Sequence, residues 1–308
     1  MIAVVTGGSG FIGRNLVSRL LTDGHAVRCL TRAGGGELPA GASAFTVRYD
    51  DPRSLLACEA LDGAEVVFHL AGATTAVRPD AFFAANVVPT RHLLQAIAER
   101  RIGLRFVLVS SPAAAGPAAS RDHPIVEADE PRPVEAYGIS KLDAERVVAE
   151  FDDRVESTVL RPCAVFGPWD RDFLALFRMA RYGLLVYPGV ARHWMSLLHV
   201  SDVVDGMLAA SRSSRAVARR YFLASEQPVQ WRTLGGHVAT AAGRRALSLD
   251  MPPRLVWSAS IAGEWIGRVT GRASLANRSK AEFARHPFWV CSASRAAEDF
   301  GFRQSRSL

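Results

Sequence analysis

TGGSGFIG, residues 6–13, is the stretch that decides the fold of this 308-residue chain. It lies between a short apolar run, Ile2–Thr6, and a segment, Phe11–Thr22, whose apolar residues fall on one helical face. Its glycines permit a tight turn, close approach of backbone amides to a diphosphate, and close packing of a helix against a sheet. Read either as G-x-x-G-x-x-G or as G-x-G-x-x-G, the stretch predicts a strand–turn–helix unit that binds a dinucleotide.

Outward from this turn, apolar runs alternate with helical patterns. Further strands are predicted at 26–31, 45–47, 65–70, 106–110, 157–161 and 221–224, and helices at 54–61, 81–100, 134–151, 172–182 and 201–211, the last capped by Ser201. Unbroken apolar strands between amphipathic helices indicate a doubly wound parallel α/β sheet with its ligand crevice at the carboxyl ends of the strands.

After residue 168 this alternation breaks down, and from residue 228 the pattern is mostly helical. We therefore expect a dinucleotide-binding Rossmann domain over 1–168, to which 199–224 returns. A smaller, interleaved, mostly helical substrate domain is expected over 169–198 and 225–308.

Charge also divides the chain. Residues 1–150 carry a formal net charge of −2 and residues 151–308 a net charge of +9. No dense basic run with interleaved aromatics occurs, so nucleic acid is not an expected partner. The four cysteines lack metal-ligand spacing, so no metal site is predicted. The chain has no apolar stretch of about 18 residues and no leader-like start, and we expect a cytoplasmic protein.

The end of the second predicted strand bears on the cofactor. An acidic residue there would hold the ribose 2′-hydroxyl of NAD, but the sequence reads Cys29-Leu30-Thr31-Arg32. A guanidinium can instead bind a 2′-phosphate through two parallel hydrogen bonds. Arg32 therefore favours NADP over NAD, and a solvated loop arginine is the alternative.

Tyr137 and Lys141, in YGISK at 137–141, lie four residues apart at the start of a predicted helix and so share one face. A nearby ammonium favours a phenolate, so we expect Lys141 to lower the pKa of Tyr137 and make it a usable acid or base.

Together these stretches resemble an extended short-chain dehydrogenase/reductase of the NAD-dependent epimerase/dehydratase family. The likeness is also carried by HLAG at 69–72, residues 86–90, VSSPAAAG at 109–116, RPCAVFGP at 161–168 and HVSD at 199–202. The region around Arg32 and the tail at 294–302 are most similar to the 3β-hydroxysteroid dehydrogenase and dihydroflavonol reductase branches.

The resemblance implies a catalytic Ser–Tyr–Lys site. Ser111 would hydrogen-bond the substrate oxygen, Tyr137 would exchange the proton, and Lys141 would hold the nicotinamide ribose. It further implies contacts to adenosine and phosphates from 70–72, to nicotinamide from Pro162, Ala164 and Val165, and to adenine from Asp50. The full set of predicted cofactor-binding residues is Gly7, Gly10, Phe11, Ile12, Gly13, Arg32, Asp50, Leu70, Ala71, Gly72, Tyr137, Lys141, Pro162, Ala164 and Val165.

One departure from the family concerns the substrate. Sugar-nucleotide members carry a diphosphate-binding arginine four residues before the histidine of HVSD, and this chain has Met195 there, with Arg192 or Arg178 as substitutes. We therefore expect an oxidoreductase that interconverts a secondary alcohol and a ketone on a fairly apolar small molecule. The alternatives are a nucleotide-sugar epimerase or dehydratase with tightly held NAD, and a non-catalytic dinucleotide-binding subunit.

Trp257, Ile261 and Trp265 recur at helical spacing near the carboxyl end. The spacing favours a stripe that faces the core. The other interpretation is a pocket wall or a membrane-touching face, helped by Arg254, Arg268 and Arg272. The resemblance also suggests a homodimer.

Overall fold

The computed structural model describes residues 1–188, 193–270 and 278–306, without the side chains of 253, 264–269 and 278–280. The strands are β1 (Ile2–Thr6), β2 (Ala26–Thr31), β3 (Ser43–Thr46), β4 (Val66–His69), β5 (Arg105–Val109), β6 (Glu156–Pro162), β7 (Ala164–Phe166), β8 (Leu184–Pro188), β9 (Trp194–Met195), β10 (Leu197–His199), β11 (Arg219–Leu223), β12 (Val229–Gln230), β13 (Leu247–Met251) and β14 (Phe288–Trp289).

The α-helices are α1 (Phe11–Thr22), α2 (Pro52–Leu56), α3 (Pro79–Asn86), α4 (Val88–Glu99), α5 (Ala136–Ala149), α6 (Arg171–Arg181), α7 (Val200–Arg212), α8 (Trp231–Ala241), α9 (Pro253–Thr270), α10 (Arg278–Phe283) and α11 (Ser294–Phe300). Short 3₁₀ turns occur at Glu59–Leu61, Pro112–Ala114 and Ser214–Ala216.

A parallel sheet organises the first half. Within the described residues it has seven strands in the order β11-β6-β5-β4-β1-β2-β3. The predicted doubly wound parallel fold is thereby confirmed. Because the chain starts at β1, runs to β3 and then continues on the other side from β4, the order reverses between β1 and β4, where such folds bind ligands. Strand β11 returns to this sheet beside β6, after β7–β10 have left it.

Successive residues of β1 face opposite layers of the core. Val5 packs with α1 and α7, whereas Val4 packs with α2, α4 and α5. A strand buried on both faces has no need of polar alternation, which explains the unbroken apolar runs in the sequence.

Three expectations about local structure are wrong. The helix predicted over 81–100 is two helices that break at Val87, because Pro89 lacks the amide that would continue the helical ladder. Helix α7 is capped by His199, whose Nδ1 accepts from the amide of Ser201, and not by Ser201 itself. The carboxyl-terminal part is less helical than predicted.

Small sheets account for that last difference. Outside the main sheet, the described residues pair β7 with β10, β8 with β13, and β9 with both β12 and β14. Strands of two to five residues are too short for a periodic pattern to appear in the sequence.

Candidate active site

The glycine turn is so tight that a side chain at Gly7 or Gly13 would collide with backbone atoms. Gly7 has φ +71°, and its carbonyl accepts from the amide of Gly10 at 3.0 Å. A Cβ on Gly13 would lie 2.1 Å from the Gly7 carbonyl oxygen, and one on Gly7 would lie 2.9 Å from the Ala71 nitrogen. The turn therefore requires glycine at both places and leaves a backbone-lined cradle at the end of β1.

Helix α1 begins at this cradle with Gly10 as its N-cap, and no side chain of the described residues caps it. The amides of the first turn, from Phe11 to Gly13, together with the positive end of the helix, suit a diphosphate. The cradle and the helix end thus fit the dinucleotide that the sequence predicts.

The loop after β2 folds back over the glycine turn. A Cβ on Gly36 would lie 3.1 Å from Cβ of Ser9. Arg32, at the start of this loop, is exposed, and its guanidinium forms no hydrogen bond or ion pair with any residue that the structure describes. A free guanidinium at the end of β2 suits the phosphate-binding role predicted for it.

Asp50 has a less distinctive position. It lies in the loop after β3, and its carboxylate is 3.7 Å from Nε of Arg48 in the same loop. Its neighbour Asp51 caps α2 by accepting from the amide of Arg53 at 3.0 Å. The structure places Tyr49, which the sequence analysis missed, nearer the crevice, because its hydroxyl donates to the carbonyl of Leu30 at the end of β2.

The segment 70–72 follows β4 and is anchored through Thr6. The Thr6 hydroxyl accepts from the amides of Leu70 and Ala71 at 3.1 and 2.9 Å, and so donates its own proton to Nδ1 of His69 at 2.7 Å. The other ring nitrogen of His69 must then donate to Thr90 at 3.1 Å. Burial, and next the charge of Lys141, lowers the pKa of His69 to about 3, so His69 is a neutral structural link.

Asn86 joins this segment to helix α5. Its Oδ1 accepts from the amide of Ala73 at 2.7 Å, and its Nδ2 donates to Oγ of Ser140 at 2.8 Å. A Cβ on Gly72 would lie 2.6 Å from that Oδ1 and 3.6 Å from Nζ of Lys141. Glycine is therefore needed at position 72, where the loop passes between the side-chain amide of Asn86 and the ammonium group of Lys141.

Ser111, Tyr137 and Lys141 are brought together. Ser111 lies close enough to Tyr137 to act against the rise in the pKa of the phenol, and Ser111 Oγ accepts from the amide of Ala113 at 3.2 Å. Nζ of Lys141 donates to the carbonyl of Val109 at 2.9 Å. Two features fix the start of α5 against the Pro112–Ala114 turn.

The first feature is a cap, since the Glu135 carboxylate accepts from the amides of Tyr137 and Gly138 at 2.7 and 2.6 Å. The second is a close approach, since a Cβ on Gly138 would lie 2.3 Å from the carbonyl oxygen of Ala113. The glycine after the tyrosine thus lets the helix seat Tyr137 beside Ser111.

The electrostatics of this trio differ from the sequence-based prediction. Burial raises the pKa of Tyr137 to about 12, against an opposing hydrogen bond from Ser111. Burial lowers the pKa of Lys141 to about 8, opposed by the carboxylate of Glu145. The prediction that Lys141 lowers the pKa of Tyr137 is wrong for the protein alone, because desolvation of the phenol dominates.

Behind the trio lies a buried ion pair that the sequence analysis missed. Glu145 accepts from Nε and Nη2 of Arg161 at 2.8 and 2.6 Å, and both side chains are almost fully buried. Oγ of Ser110 donates to the same carboxylate at 2.5 Å. Glu145 lies one helical turn after Lys141, but Arg161 comes from another strand, so no local pattern pairs them.

The Glu145–Arg161 pair connects the strand end predicted to contact nicotinamide with the group formed by Ser111, Tyr137 and Lys141. Arg161 precedes Pro162 at the end of β6, and the amide of Ser110 donates to the carbonyl of Leu160 at 2.7 Å. Ala164 and Val165 follow in β7, which pairs with β10. The structure thus brings residues 162–165 to the carboxyl edge next to Ser111.

The surface that faces Tyr137 is apolar. The ring of Phe82 lies 5.9 Å from that of Tyr137, and Tyr137 packs against an apolar cluster to which Phe166 and Trp231 are also packed. Met195 belongs to this cluster, is buried, and accepts from the indole Nε1 of Trp231 at 3.1 Å. The position that binds a diphosphate in sugar-nucleotide enzymes is therefore a dry, uncharged contact.

Of the alternative cations, Arg178 is exposed on α6. Arg192 and Arg272, and the side chains of Trp265 and Arg268, lie outside the described residues. No group of three or more histidine, cysteine or acidic side chains that could hold a metal ion occurs in the described part of the chain.

Comparison with known proteins agrees with this geometry. Residues 3–224 match the model of the NAD dependent epimerase/dehydratase family. A 4-hydroxy-2-methyl-3-oxo-4-farnesyl-3,4-dihydroquinoline-1-oxide ketoreductase of Stigmatella aurantiaca is 32% identical over 279 residues, which cover 87% of this chain and 81% of that protein. A ceramide reductase of Caulobacter vibrioides is 26% identical over 96% of this chain and 88% of its own length.

Among solved structures, MoeE5 in complex with UDP-glucose and NAD superposes with a TM-score of 0.77. The match covers all of this chain and 95% of MoeE5 at 24% identity, which shows a common fold.

Proposed function

Since this chain belongs to the NAD-dependent epimerase/dehydratase family and is an NAD(P)-dependent oxidoreductase, we propose that it interconverts a ketone and a secondary alcohol on an apolar small molecule. One observation carries the proposal. Tyr137 lies beside Ser111 and packs against an apolar cluster whose buried core contains Met195, at the position where sugar-nucleotide members of the family have a diphosphate-binding cation.

The names of the two relatives support a lipid-like substrate. One is named for a farnesyl-bearing ring ketone and the other for ceramide. We propose that residues 169–198 and 225–308, which supply Phe173, Met195 and Trp231 to the apolar cluster, hold the hydrocarbon part of such a molecule.

The chemistry follows from the trio. The reduced nicotinamide, when bound, supplies the hydride that adds to the carbonyl carbon. Ser111 and Tyr137 donate hydrogen bonds to the carbonyl oxygen, and Tyr137 transfers its proton there as the alcohol forms. A pKa of about 12 keeps Tyr137 protonated at neutral pH, which suits a proton donor. Lys141 is held beside Gly72 to orient the ribose.

The cofactor proposed is NADP, with Arg32 binding its 2′-phosphate. The test is titration of the purified protein with NADPH and NADH, repeated with Arg32→Ala and with Arg53→Ala, an exposed arginine on α2, as the matched control. We expect Arg32→Ala to weaken NADPH about 10-fold or more and NADH little, since a hydrogen bond to a charged group contributes about 1.5–3 kcal/mol. An equal effect on both cofactors, or on both variants, contradicts the assignment.

The reaction is tested by oxidation of added NADPH in the presence of a panel of apolar ketones. We expect net turnover that Tyr137→Phe abolishes. The alternative function is that of a nucleotide-sugar epimerase. Such an enzyme would retain its NAD during purification and convert UDP-glucose without net oxidation or reduction of the cofactor. That result, without ketone reduction, overturns the proposal.

A further inference from the structure

A groove of about 520 Å³ opens beside the loop that joins β7 to α6. Its lining is chiefly apolar and includes five large side chains, those of Phe166, Trp169, Phe173, Leu174 and Phe177. The charged residues of the lining, Asp170 and Arg171, are adjacent where α6 begins. Pockets that hold small molecules have volumes of roughly 300–1,000 Å³ and mostly apolar walls, so the groove has the size and the lining of such a site.

Two of the lining residues also belong to the apolar surface around Tyr137. Phe166 and Phe173, whose rings lie 5.6 Å apart, pack against the same apolar cluster as Tyr137. The ring of Phe166 also makes an edge contact with the ring of His199 at 5.3 Å. Phe166 ends β7, the strand whose first two residues are predicted to contact nicotinamide. An apolar chain on a molecule that reacts beside Tyr137 can therefore follow this shared surface into the groove.

Helix α6 gives the groove one continuous apolar face. At about 3.6 residues per turn, Phe173, Phe177 and Leu174 follow one another within about 100° of the helix circumference. Phe173 is half-buried, whereas Phe177 and Leu174 are 39% and 46% exposed. The three side chains thus lead from the apolar cluster outward along the same side of the helix. None of the described helices, α6 included, has the length and apolar content needed to cross a membrane.

Trp169 is held in an unusual conformation at the start of this face. Its φ is +75°, which bulky residues rarely adopt, and its side chain is 66% exposed. Two contacts with α1 fix the loop, since the guanidinium of Arg14 lies 4.6 Å from the centre of the indole ring and Nδ2 of Asn15 donates to the carbonyl of Pro168 at 3.0 Å. Asp170 fixes the other side by capping α6. A strained backbone that keeps an aromatic ring at the surface points to a function other than packing.

We propose that this groove binds the hydrocarbon chain of the ketone substrate, and that Trp169 and Leu174 determine which chain lengths are preferred. The inference rests on the proposed function, because reduction beside Tyr137 places the start of such a chain next to Phe166. The residues shared with the apolar cluster, Phe166 and Phe173, favour the substrate over a second protein chain as the occupant. A surface that only docked a protein would have no need of continuity with the reaction site.

The first test is the dependence of ketone reduction on chain length. The purified protein is assayed with saturating NADPH, and separately with NADH, against unbranched ketones from 2-pentanone to 2-dodecanone. We expect kcat/KM to rise about fourfold for each added methylene group until the groove is filled, because each buried methylene contributes about 0.8 kcal/mol. Reduction with a kcat/KM that is independent of chain length overturns the proposal.

Matched variants locate the chain. Trp169→Ala and Leu174→Gln should lower kcat/KM for 2-dodecanone about 10-fold or more and change it less than about twofold for 2-pentanone. Trp257→Ala and Leu56→Gln, the same changes at exposed residues of α9 and α2, should alter neither value. The ratio between the two ketones does not depend on the fraction of enzyme that is folded, so a poorly folding variant still gives an answer. An unaltered ratio in either groove variant overturns the role assigned to that residue.

A binding measurement tests the groove without any reaction. 12-Bromododecan-1-ol carries a bromine atom at the end of its chain, and bromine quenches indole fluorescence on contact. We expect this alcohol to quench the tryptophan emission of the protein, and Trp169→Phe, but not Trp257→Phe, to remove most of the quenching. No quenching, or quenching that persists in Trp169→Phe, overturns the groove even where ketones are reduced. Quenching that depends on Trp169 in a protein that reduces no ketone overturns the proposed function alone, so the two proposals fail separately.

Discussion

The two halves of the protein differ in where polar and apolar side chains lie. In residues 1–162 the site rests on buried polar side chains that satisfy one another, such as His69 with Thr6 and Glu145 with Arg161. In residues 169–306 many apolar side chains are exposed, among them Trp169, Tyr182 and Leu255. The first half fixes the positions of Ser111, Tyr137 and Lys141, whereas the second half leaves apolar side chains at the surface.

The largest expected effect removes the proton donor. Tyr137→Phe should lower kcat about 10²–10⁴-fold, the usual contribution of a positioned general acid. Cofactor affinity should change little, because the proposed site for the diphosphate is the glycine turn and not the phenol. Stopped-flow measurement of NADPH oxidation gives kcat, and fluorescence titration gives the affinity.

Phe166→Leu provides the comparison from the apolar cluster, since it alters the apolar surface and leaves the proton donor in place. We expect it to change KM for a bulky ketone more than kcat. If Tyr137→Phe retained turnover near that of the unmodified enzyme, the assignment of Tyr137 would be wrong.

The buried ion pair gives the next largest effect. Glu145→Gln leaves Arg161 uncompensated and should lower the free energy of unfolding by about 3–5 kcal/mol. Glu150→Gln, at the C-cap of the same helix, is the matched control, since its pair with Arg91 is exposed and should contribute at most about 1 kcal/mol. Urea denaturation of both variants measures the difference, and equal losses would contradict the role of the buried pair.

Glu145 is also a positioning residue with an effect on pH dependence. Its carboxylate raises the pKa of Lys141, which burial lowers to about 8. The ammonium is lost as the pH rises through that value, so without Glu145 the loss should occur at lower pH. The alkaline fall in kcat/KM should therefore shift to lower pH in Glu145→Gln and stay unchanged in Glu150→Gln, a difference that a purely structural role would not produce.

The sequence predicted the first half better than the second for a physical reason. The dinucleotide turn and the catalytic pair leave local patterns in the sequence. The turn requires glycine at Gly7 and Gly13, and the tyrosine and lysine lie one helical turn apart. The Glu145–Arg161 pair joins a helix to a later strand, and the small sheets of the second half rest on two- to five-residue strands, so neither leaves a local pattern. Trp257 and Ile261 of α9 are 39% and 41% exposed, although their spacing favoured the core, because helical spacing shows that residues share a face but not what that face contacts.

The smallest expected effects compare one glycine from each half. Gly13→Ala places a Cβ 2.1 Å from the carbonyl oxygen of Gly7, so it should lower the free energy of unfolding by about 1–3 kcal/mol and weaken cofactor binding. Gly236→Ala, on the exposed face of α8, meets no atom of the described residues within 4 Å and should raise that free energy by about 1 kcal/mol, since alanine favours helix more than glycine does.

The two substitutions are expected to change the free energy of unfolding in opposite directions. This difference tests whether the glycines of the two halves have different structural roles. Thermal and urea denaturation of both variants, with and without NADPH, measure them. If Gly13→Ala were as stable as the unmodified protein and bound NADPH equally well, the turn would not be the close-packed cradle described above. If Gly236→Ala were destabilised, this glycine too would be held by packing, and the contrast between a tightly specified first half and a permissive second half would fail at that point.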